Sequence, residues 1–288
     1  MIPQSMATED AAARLEREAD ALRAAGRLEA AAVAYDELLS MAADHLKSDR
    51  LLSSLTGRPS VLVSKPGGLK PAPFLLVPDF LPLHMRDALH ASIVANLGGF
   101  QPAETVSGLH TEYRRTRLMP RGFDHVDVRV KRTFYERLQS CWAAARPRLR
   151  VPEFEPILSE ATALLYGDGD FFRAHRDTGP NNTRRVTFVY TMHRTPRRFE
   201  GGDLLLYDTF FWPDQKHLPS WIPRFADTYT RLVPEDNRLV FFPSEFYHEV
   251  TPVSGVGDDL GWARVAINGW LDTTREQGES EYLARTPY

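Results

Sequence analysis

Short apolar segments with the texture of β-strands fill the chain from residue 151 to residue 272, and Gly, Pro and Asn residues separate them. The segments read ATALLY, RRVTFVYTM, GGDLLLYD, NRLVFFP and ARVAINGW. They follow helical segments and do not alternate with them, which argues against a parallel sheet with crossover helices. The sequence therefore predicts a mainly β fold with supporting helices, built as an antiparallel sandwich or barrel.

Residues 7–47 have a different texture, because they are rich in Ala, Glu, Leu and Arg and contain no Pro. Their apolar residues recur at helical spacing in two runs, and Gly26 lies between the runs. This pattern predicts an N-terminal helical hairpin. The second run is similar to one half of a tetratricopeptide repeat, and a single repeat cannot bury its own apolar face. We therefore expect the hairpin to pack on the main domain or, as a homodimer contact, on a second subunit.

The predicted domain organisation has three parts. Residues 1–52 form the hairpin, residues 53–73 form a linker rich in Ser, Gly and Pro, and residues 74–288 form the main domain. The main domain opens with the short strand FLLVPDFLP, and helices are expected over residues 83–97 and 123–145.

Charge and cysteine content exclude several classes of function. The chain has 35 Lys and Arg residues against 38 Asp and Glu residues, a net charge of −3, which argues against a nucleic-acid-binding protein. No secretory signal or apolar run of membrane-spanning length is visible, so we expect a cytoplasmic protein without a membrane partner. Cys141 is the single cysteine, which excludes an intramolecular disulfide and a cysteine-based zinc site.

Three residues could form a metal site. His175 and Asp177 are two positions apart, so in an extended segment their side chains point to the same face. His248 follows a distant apolar strand and could add a second imidazole. Two histidines and one carboxylate on one face of a metal leave three positions open, as in the non-heme Fe(II) oxygenases.

The region around these residues resembles the prolyl 4-hydroxylase-like branch of the Fe(II)/2-oxoglutarate dioxygenases. The motifs that carry the resemblance are, in chain order, Tyr166-Gly167, His175 with Asp177, Arg184 to Tyr190, Gly201-Gly202, His248 to Pro252, and Arg264 to Trp270. The resemblance covers about residues 74–272. It implies a double-stranded β-helix, a distorted jelly roll, which agrees with the sandwich predicted from strand texture.

The resemblance implies Fe(II) held by His175, Asp177 and His248, with 2-oxoglutarate and O2 as co-substrates and ascorbate as a candidate reductant. The far carboxylate of 2-oxoglutarate needs a cation deep in the barrel, and Arg264 fits because its planar fork can bind a carboxylate with two hydrogen bonds. Tyr166 is the candidate for a further hydrogen bond to that carboxylate. Tyr190 is the runner-up, although strand alternation turns it away from Thr187 and Thr191.

Two departures from the family pattern affect these expectations. The gap between His248 and Arg264 holds extra residues, VSGVGDDLGWA, which we place in a loop between two strands. Thr191 stands where some relatives carry a co-substrate-binding tyrosine. In addition, residues 208–232 form a long insertion rich in Trp, Phe and Pro, which we interpret as a loop that covers the substrate or as a dimer contact.

The resemblance implies oxidation of an unactivated C–H bond with release of succinate and CO2. Asp177 favours hydroxylation over halogenation, because related halogenases lack this carboxylate; desaturation and cyclisation use the same triad. An amino acid, a peptidyl residue such as proline, or a natural product would be the substrate, and the runs at Arg114–Arg117 and Arg197-Arg198 are either a site for an acidic substrate or solvated surface. The alternatives are a non-catalytic scaffold built on a degenerate oxygenase domain and a zinc hydrolase, for which no His-Glu-x-x-His motif is present.

Overall fold

The computed structural model describes residues 4–62, 68–104, 111–159, 161–178, 183–210 and 225–274. Its α-helices are α1 (Gln4–Ala24), α2 (Leu28–Met41), α3 (Leu46–Thr56), α4 (Leu83–Ala95) and α5 (Val128–Leu149). In the part of the chain so described, none of the helices is both long and apolar enough to cross a membrane.

The strands, in chain order, are β1 (Leu69–Lys70), β2 (Leu75–Val77), β3 (Gln101–Pro102), β4 (Arg114–Arg115), β5 (Arg117–Leu118), β6 (Ile157–Leu158), β7 (Thr162–Tyr166), β8 (Phe171–His175), β9 (Arg184–Met192), β10 (Glu200–Gly201), β11 (Leu204–Tyr207), β12 (Thr209–Phe210), β13 (Tyr229–Leu232), β14 (Arg238–Pro243), β15 (His248–Val250), β16 (Val253–Ser254) and β17 (Arg264–Asp272). The larger sheet has the order β2-β14-β9-β17-β7-β5-β3, with β6 also pairing β17, and the smaller sheet has the order β13-β11-β15-β8-β4. The strand pairs recorded in both sheets are antiparallel.

Both sheets contribute to one apolar core. Leu206 and Val250 of the smaller sheet and Leu164, Val189 and Ala266 of the larger sheet belong to the same buried cluster. Two antiparallel sheets that share a core form the sandwich expected of a jelly roll. The predicted mainly β fold with supporting helices is confirmed.

Helix α5 covers the outer face of the larger sheet. Phe134 on this helix packs against Tyr190 of β9, with ring centroids 5.6 Å apart, and against Phe80 at 5.2 Å. Side chains alternate along a strand, so the even-numbered residues of β9 face the helix and the odd-numbered residues face the interior of the sandwich. The helix predicted over residues 123–145 begins later, at Val128, because the Asp127 carboxylate accepts from the amide of Arg129 (2.8 Å) and caps the first turn.

The predicted helical hairpin is formed by α1 and α2. Gly26 connects the two helices with a φ of +75°, a conformation that favours glycine. Ala19, Ala31 and Tyr35 form a small core with Leu51 of α3. These contacts join all three helices into one packed unit.

The hairpin packs on the main domain through a buried ion pair. Nη2 of Arg23 lies 2.6 Å from Oδ2 of Asp208, and both side chains are fully buried. This is one of the two arrangements expected from the sequence; a homodimer contact through the hairpin stays a prediction. The division at residues 52 and 73 also stays a prediction, while α3 continues to Thr56 and β1 pairs with β12 at residues 209–210.

Candidate metal centre

The smaller sheet brings the two predicted histidine ligands together. Strands β8 and β15 are antiparallel neighbours, and His248 lies directly opposite His175 in their register. The two imidazole rings have centroids 4.1 Å apart. Phe172 stacks on His175 at 3.6 Å, and Phe242 lies edge-on to His248 at 4.7 Å, so apolar rings restrict the orientation of both imidazoles.

Asp177 lies just beyond the end of β8 and completes the triad. Its Oδ1 is 3.7 Å from Nε2 of His175, and its Oδ2 is 3.4 Å from Nε2 of His248. The three ligand atoms lie within 4.8 Å of one another, and among the described residues this is the group of acids and histidines with metal-binding geometry. A set of two imidazole nitrogens and one carboxylate oxygen fits Fe(II) and leaves coordination positions open.

Two residues on neighbouring strands orient Asp177. The hydroxyl of Thr187 donates to Oδ2 of Asp177 at 2.9 Å, and the backbone amide of Asp177 donates to the carbonyl of Ser244 at 3.1 Å. The Ser244 hydroxyl in turn lies 3.0 Å from that of Thr187. The Thr187 position is part of the sequence motif, whereas Ser244 carried no signal in the sequence, because it acts partly through its backbone.

Backbone carbonyls fix the tautomer of each histidine. Nδ1 of His175 lies 2.7 Å from the carbonyl oxygen of Arg173, and Nδ1 of His248 lies 3.2 Å from that of Phe246. Because a carbonyl can only accept, Nδ1 must carry the proton in each ring. Each Nε2 then has a free lone pair on the side of Asp177, as a metal ligand requires.

The charge state of the site suits a cation. Burial, together with the neighbouring His248, lowers the pKa of His175 to about 3. Burial alone would raise the pKa of Asp177, but the close approach of the His248 and His175 imidazoles holds that pKa below its usual range. A neutral His175 and an ionised Asp177 are the protonation states needed for metal binding.

Arg264 lies deep in the sandwich beside Tyr166. It begins β17, faces Tyr166 of β7 in the antiparallel register, and is 1% exposed. Its Cζ lies 4.7 Å from the centre of the Tyr166 ring. Nε and Nη1 of Arg264 are buried and have no hydrogen-bond partner among the residues that the structure describes. A buried guanidinium with unused donors fits the distant carboxylate of 2-oxoglutarate.

Space for this arginine depends on Gly202. Its φ is +67°, and a Cβ at this position would lie 2.5 Å from Cδ of Arg264. Burial lowers the pKa of the Arg264 guanidinium, since no water solvates its charge. Glycine at the second position of the Gly201-Gly202 motif therefore leaves room for the Arg264 side chain to lie deep in the sandwich.

Further unpaired polar atoms lie on the same face of β17. Oδ1 of Asn268 and Nε1 of Trp270 are buried without a hydrogen-bond partner within the described ranges. The sequence predicted that Arg264, Asn268 and Trp270 share one face. Arg114 was not predicted here: its Nε is also buried and unpaired in the described structure, and its Cζ lies 4.6 Å from the Phe172 ring. The sequence named Arg114 only as part of the basic run Arg114–Arg117, because its place beside Phe172 depends on the pairing of β4 with β8, which is a tertiary contact.

The structure places Tyr190 away from this pocket. Its hydroxyl donates to Oδ1 of Asn237 at 2.9 Å, on the face of β9 that packs against α5. Thr191 is buried on the opposite face, in line with Thr187. His193 and His125, which were expected not to bind metal, lie outside the triad, while His110 and His217 lie outside the described residues.

The two predicted loops differ in how far the structure describes them. The extra residues between His248 and Arg264 lie in the connection from β15 to β17, where Asp168 accepts from the amides of Val256 and Gly257 at 2.8 and 2.9 Å. Most of the 208–232 insertion, residues 211–224, lies outside the described residues, so its role as a lid stays a prediction. Its end is described: Phe225 packs between Tyr207 and Tyr247, at 4.8 and 4.7 Å.

Comparisons with known proteins concern this same part of the chain. Residues 161–272 match the model of the 2OG-Fe(II) oxygenase superfamily. An uncharacterized PKHD-type hydroxylase of Synechocystis sp. is 31% identical over 126 residues, which are 43% of this chain and 39% of that relative. The matched segment therefore spans less than half of the relative's length.

A solved structure shares the fold. A prolyl hydroxylase of Trichoplax adhaerens, in complex with a hypoxia inducible factor oxygen degradation domain peptide fragment, has a TM-score of 0.53 at 19% identity and covers 74% of this chain and 87% of its own. A prolyl-4-hydroxylase of Pseudomonas putida has a TM-score of 0.48 at 20% identity, over 70% of this chain and 93% of its own.

The family match contains the metal triad and the cross-strand pair of Tyr166 and Arg264, which lie in the interior of the sandwich. The donor set fits Fe(II), and the unpaired guanidinium fits 2-oxoglutarate. Residues 161–272 therefore match the 2OG-Fe(II) oxygenase superfamily, and the described structure has a jelly-roll fold like that of the Trichoplax adhaerens prolyl hydroxylase.

Proposed function

We propose that this protein hydroxylates an unactivated C–H bond of a peptidyl substrate, with proline as the first residue to test, and releases succinate and CO2. One observation carries the proposal: a His-Asp-His triad of metal-binding geometry and the buried, unpaired guanidinium of Arg264 both belong to the interior of the sandwich, where Thr187 of β9 binds Asp177 and pairs with the β17 face that carries Arg264. The triad alone would also suit other metals. The buried arginine alone would be a costly unpaired charge with no evident role. Together they match the needs of Fe(II) and 2-oxoglutarate.

His175, Asp177 and His248 would hold the metal. Fe(II), with 2-oxoglutarate and O2, supplies the oxidising chemistry when it is bound, and ascorbate is the proposed reductant. The carbonyls of Arg173 and Phe246 keep both Nε2 atoms turned toward the metal position. Thr187 holds one carboxylate oxygen of Asp177 through a hydrogen bond and thus limits rotation of that group.

Arg264 and Tyr166 would bind the far carboxylate of 2-oxoglutarate. Both side chains are buried to 1% exposure, so an anion between them would be shielded from water, and its attraction to the guanidinium would be strong. Asn268 and Trp270 have unused polar atoms on the same strand face, which offer further positions for hydrogen bonds. The pocket thereby orients the co-substrate and excludes water.

A peptidyl substrate is supported by the solved neighbour, which is a prolyl hydroxylase in complex with a peptide fragment. An aromatic cluster lies at the smaller sheet, where the Phe225 ring packs against the rings of Tyr207 and Tyr247. Tyr247 directly precedes His248 in the sequence. Aromatic rings are suitable surfaces for a proline ring or another apolar side chain. The scaffold alternative has no matching observation, since the metal ligands are all present.

The test is formation of succinate from 2-oxoglutarate, measured with and without Fe(II). His175→Ala should abolish it, whereas His84→Ala, which changes an exposed histidine on α4, should not. Equal succinate formation by His175→Ala in iron-controlled buffer would refute the metal assignment. Oxygen incorporation into a proline-containing peptide, measured by mass spectrometry, tests the hydroxylation itself.

A further inference from the structure

A second cleft lies beside the metal centre, between α3, the end of α5 and the strands β9 and β14. Its cavity volume is about 60 Å³, which suits a small group such as one side-chain carboxylate, and the cleft is open to solvent. Six cationic side chains line it: Arg50, Lys70, Arg148, Arg150, Arg184 and Arg185. Among the described lining residues, Glu245 is the acidic one, and it lies 2.6 Å from Nζ of Lys70. Because the whole chain has a net charge of −3, this positive charge is concentrated locally.

Neutral groups, not carboxylates, hold two of these arginines in place. Nη2 of Arg148 donates to the carbonyl of Ser54 at 2.8 Å, and Nη1 of Arg150 donates to the hydroxyl of Ser60 at 2.7 Å. These bonds orient the guanidinium groups without neutralising them, although the nearby Asp49 carboxylate acts on the charge of Arg150. The cleft is thus built to display positive charge.

The neighbouring positive charges and burial destabilise the charged form of Arg50. Its Nε, like that of Arg148, is buried without a hydrogen-bond partner in the described part of the chain. Burial, together with the charge of Arg150, lowers the pKa of Arg50 to about 10. The carboxylate of the neighbouring Asp49 is directed toward other groups: its Oδ2 accepts from the hydroxyl of Ser60 and from the backbone amides of Val61 and Leu62. A bound anion would relieve this repulsion.

The other walls of the cleft are apolar and irregular. Pro71, Pro73, Pro152 and Phe246 line it beside the arginines. Such walls suit an extended polypeptide, which presents both apolar and charged groups along its length. A bare inorganic anion would leave these walls exposed, and a nucleic acid would need a longer basic track than one cleft in an acidic chain supplies.

The cleft borders the backbone segment that carries Asp177. Thr178, which follows Asp177, lines it, and Nη1 of Arg184 lies 3.5 Å from the carbonyl oxygen of Asp177. The Arg184 guanidinium also stacks on Trp270, with Cζ 3.5 Å from the ring centre. A peptide segment in the cleft would therefore continue toward the position where substrate is oxidised.

We propose that this basic cleft binds acidic side chains of the substrate peptide that flank the oxidised residue. The inference rests on the proposed function, because it assigns the substrate class of the same site. Aspartate and glutamate carboxylates would pair with the forked guanidinium groups, and the proline-lined walls would contact the peptide backbone and apolar side chains.

The test is direct binding of a fluorescein-labelled octapeptide that carries Asp and Glu around one proline, measured by fluorescence anisotropy with the full-length protein. Its counterpart carries Asn and Gln at the same positions. We expect the acidic peptide to bind about tenfold more tightly, with an advantage that shrinks as ionic strength rises. Equal affinity of the two peptides would overturn the proposal.

Charge-neutral variants locate the binding. Arg50→Gln and Arg185→Gln should each weaken acidic-peptide binding by about three- to tenfold. The control Arg132→Gln removes the same charge from an exposed position on α5, where the side chain is 72% exposed, and should leave binding unchanged. Circular dichroism checks that each variant is folded. An equal effect of the control would show a non-specific charge effect and overturn the cleft assignment.

Binding and turnover separate this proposal from the proposed function. Preferential binding of the acidic peptide without any Fe(II)-dependent succinate formation would refute the function and keep the cleft. Fe(II)-dependent succinate formation, together with equal binding of the acidic and neutral peptides, would support the proposed function and refute the cleft assignment. Tighter binding of a single-stranded oligonucleotide than of the acidic peptide would also overturn the assignment, in favour of a nucleic-acid ligand.

Discussion

Replacement of Arg264 by methionine should increase the stability of the ligand-free protein and weaken 2-oxoglutarate binding. The guanidinium is 1% exposed, and two of its nitrogen atoms have no partner among the described residues. An unsatisfied buried donor costs roughly 1–3 kcal/mol, and replacing buried charges by apolar residues of similar volume is often stabilising. We therefore expect Arg264→Met to raise the free energy of unfolding of the ligand-free protein by about 1–2 kcal/mol.

The same change removes the partner of the co-substrate carboxylate. Loss of one member of a buried charged pair costs about 2–4 kcal/mol of binding, which corresponds to a dissociation constant about 30- to 900-fold higher. At a hundredfold excess over its dissociation constant, 2-oxoglutarate should stabilise the original protein by about 2.7 kcal/mol and should stabilise the variant far less.

Urea unfolding with and without 2-oxoglutarate measures both effects, and calorimetric titration gives the dissociation constant. Arg132→Met is the matched control, because Arg132 is exposed on α5 and should change neither quantity. A less stable ligand-free variant that binds 2-oxoglutarate with unchanged affinity would refute the reasoning and assign Arg264 a purely structural role.

Thr187→Val should leave the fold intact and weaken Fe(II) binding by about tenfold, since Asp177 loses its orienting hydrogen bond. Metal titration measures the affinity, and an unchanged affinity would contradict this prediction. Arg23→Met should lower the free energy of unfolding by roughly 3–5 kcal/mol, because it leaves the charge of Asp208 buried and unpaired. The double variant with Asp208→Asn should regain much of this stability, and urea unfolding of both variants measures the difference. The metal-free protein should lose stability as pH falls from 6.5 toward 3, because the folded pKa of His175 is about 3 against 6.5 in the unfolded chain, so the unfolded state takes up the proton first. This slope, at most about 1.4 kcal/mol per pH unit, should be reduced in His175→Phe, and an identical slope in that variant would contradict the assignment.

The metal triad could be predicted because its geometry is local to strands. The two-residue spacing of His175 and Asp177 determines a common face in an extended segment, and the apolar strand before His248 predicts a neighbouring position in the sheet. Alternation likewise predicted that Arg264 shares a face with Asn268 and that Tyr190 points away from Thr187. For His248 the spacing was not sufficient: its pairing with His175 is a long-range contact, and the expectation rested on the family resemblance of the run from His248 to Pro252.

The basic cleft could not be predicted, because its arginines come from three distant segments. Arg50 lies on α3, Arg148 at the end of α5, and Arg184 at the start of β9. The sequence instead drew attention to Arg114 and to the Arg197-Arg198 pair, where basic residues are adjacent in the chain. Adjacent charges in a strand point to opposite faces, so proximity in sequence is a poor guide to a charged surface.

Short elements were missed for a related reason. Helix α3 was not recognised because LKSDRLLSSLT is mostly polar, and Ser53 and Ser54 were interpreted as the start of a linker. Those serines are buried because their carbonyls and the Ser54 hydroxyl bind groups from elsewhere: Arg148 from α5 and the amide of Phe74. The stability of such a helix comes from tertiary contacts more than from its own sequence.

The buried Asp208 connects the N-terminal hairpin with the base of the 208–232 insertion. Its carboxylate pairs with Arg23 of α1 and accepts from the hydroxyl of Thr228 at 2.7 Å, while its backbone binds Thr228 and Ala226. One residue thus holds together the two described ends of the insertion, and α1 supplies the charge that makes its burial tolerable. The hairpin therefore contributes to the framework from which the insertion extends, next to the strand that carries Leu206, the cross-strand partner of His248.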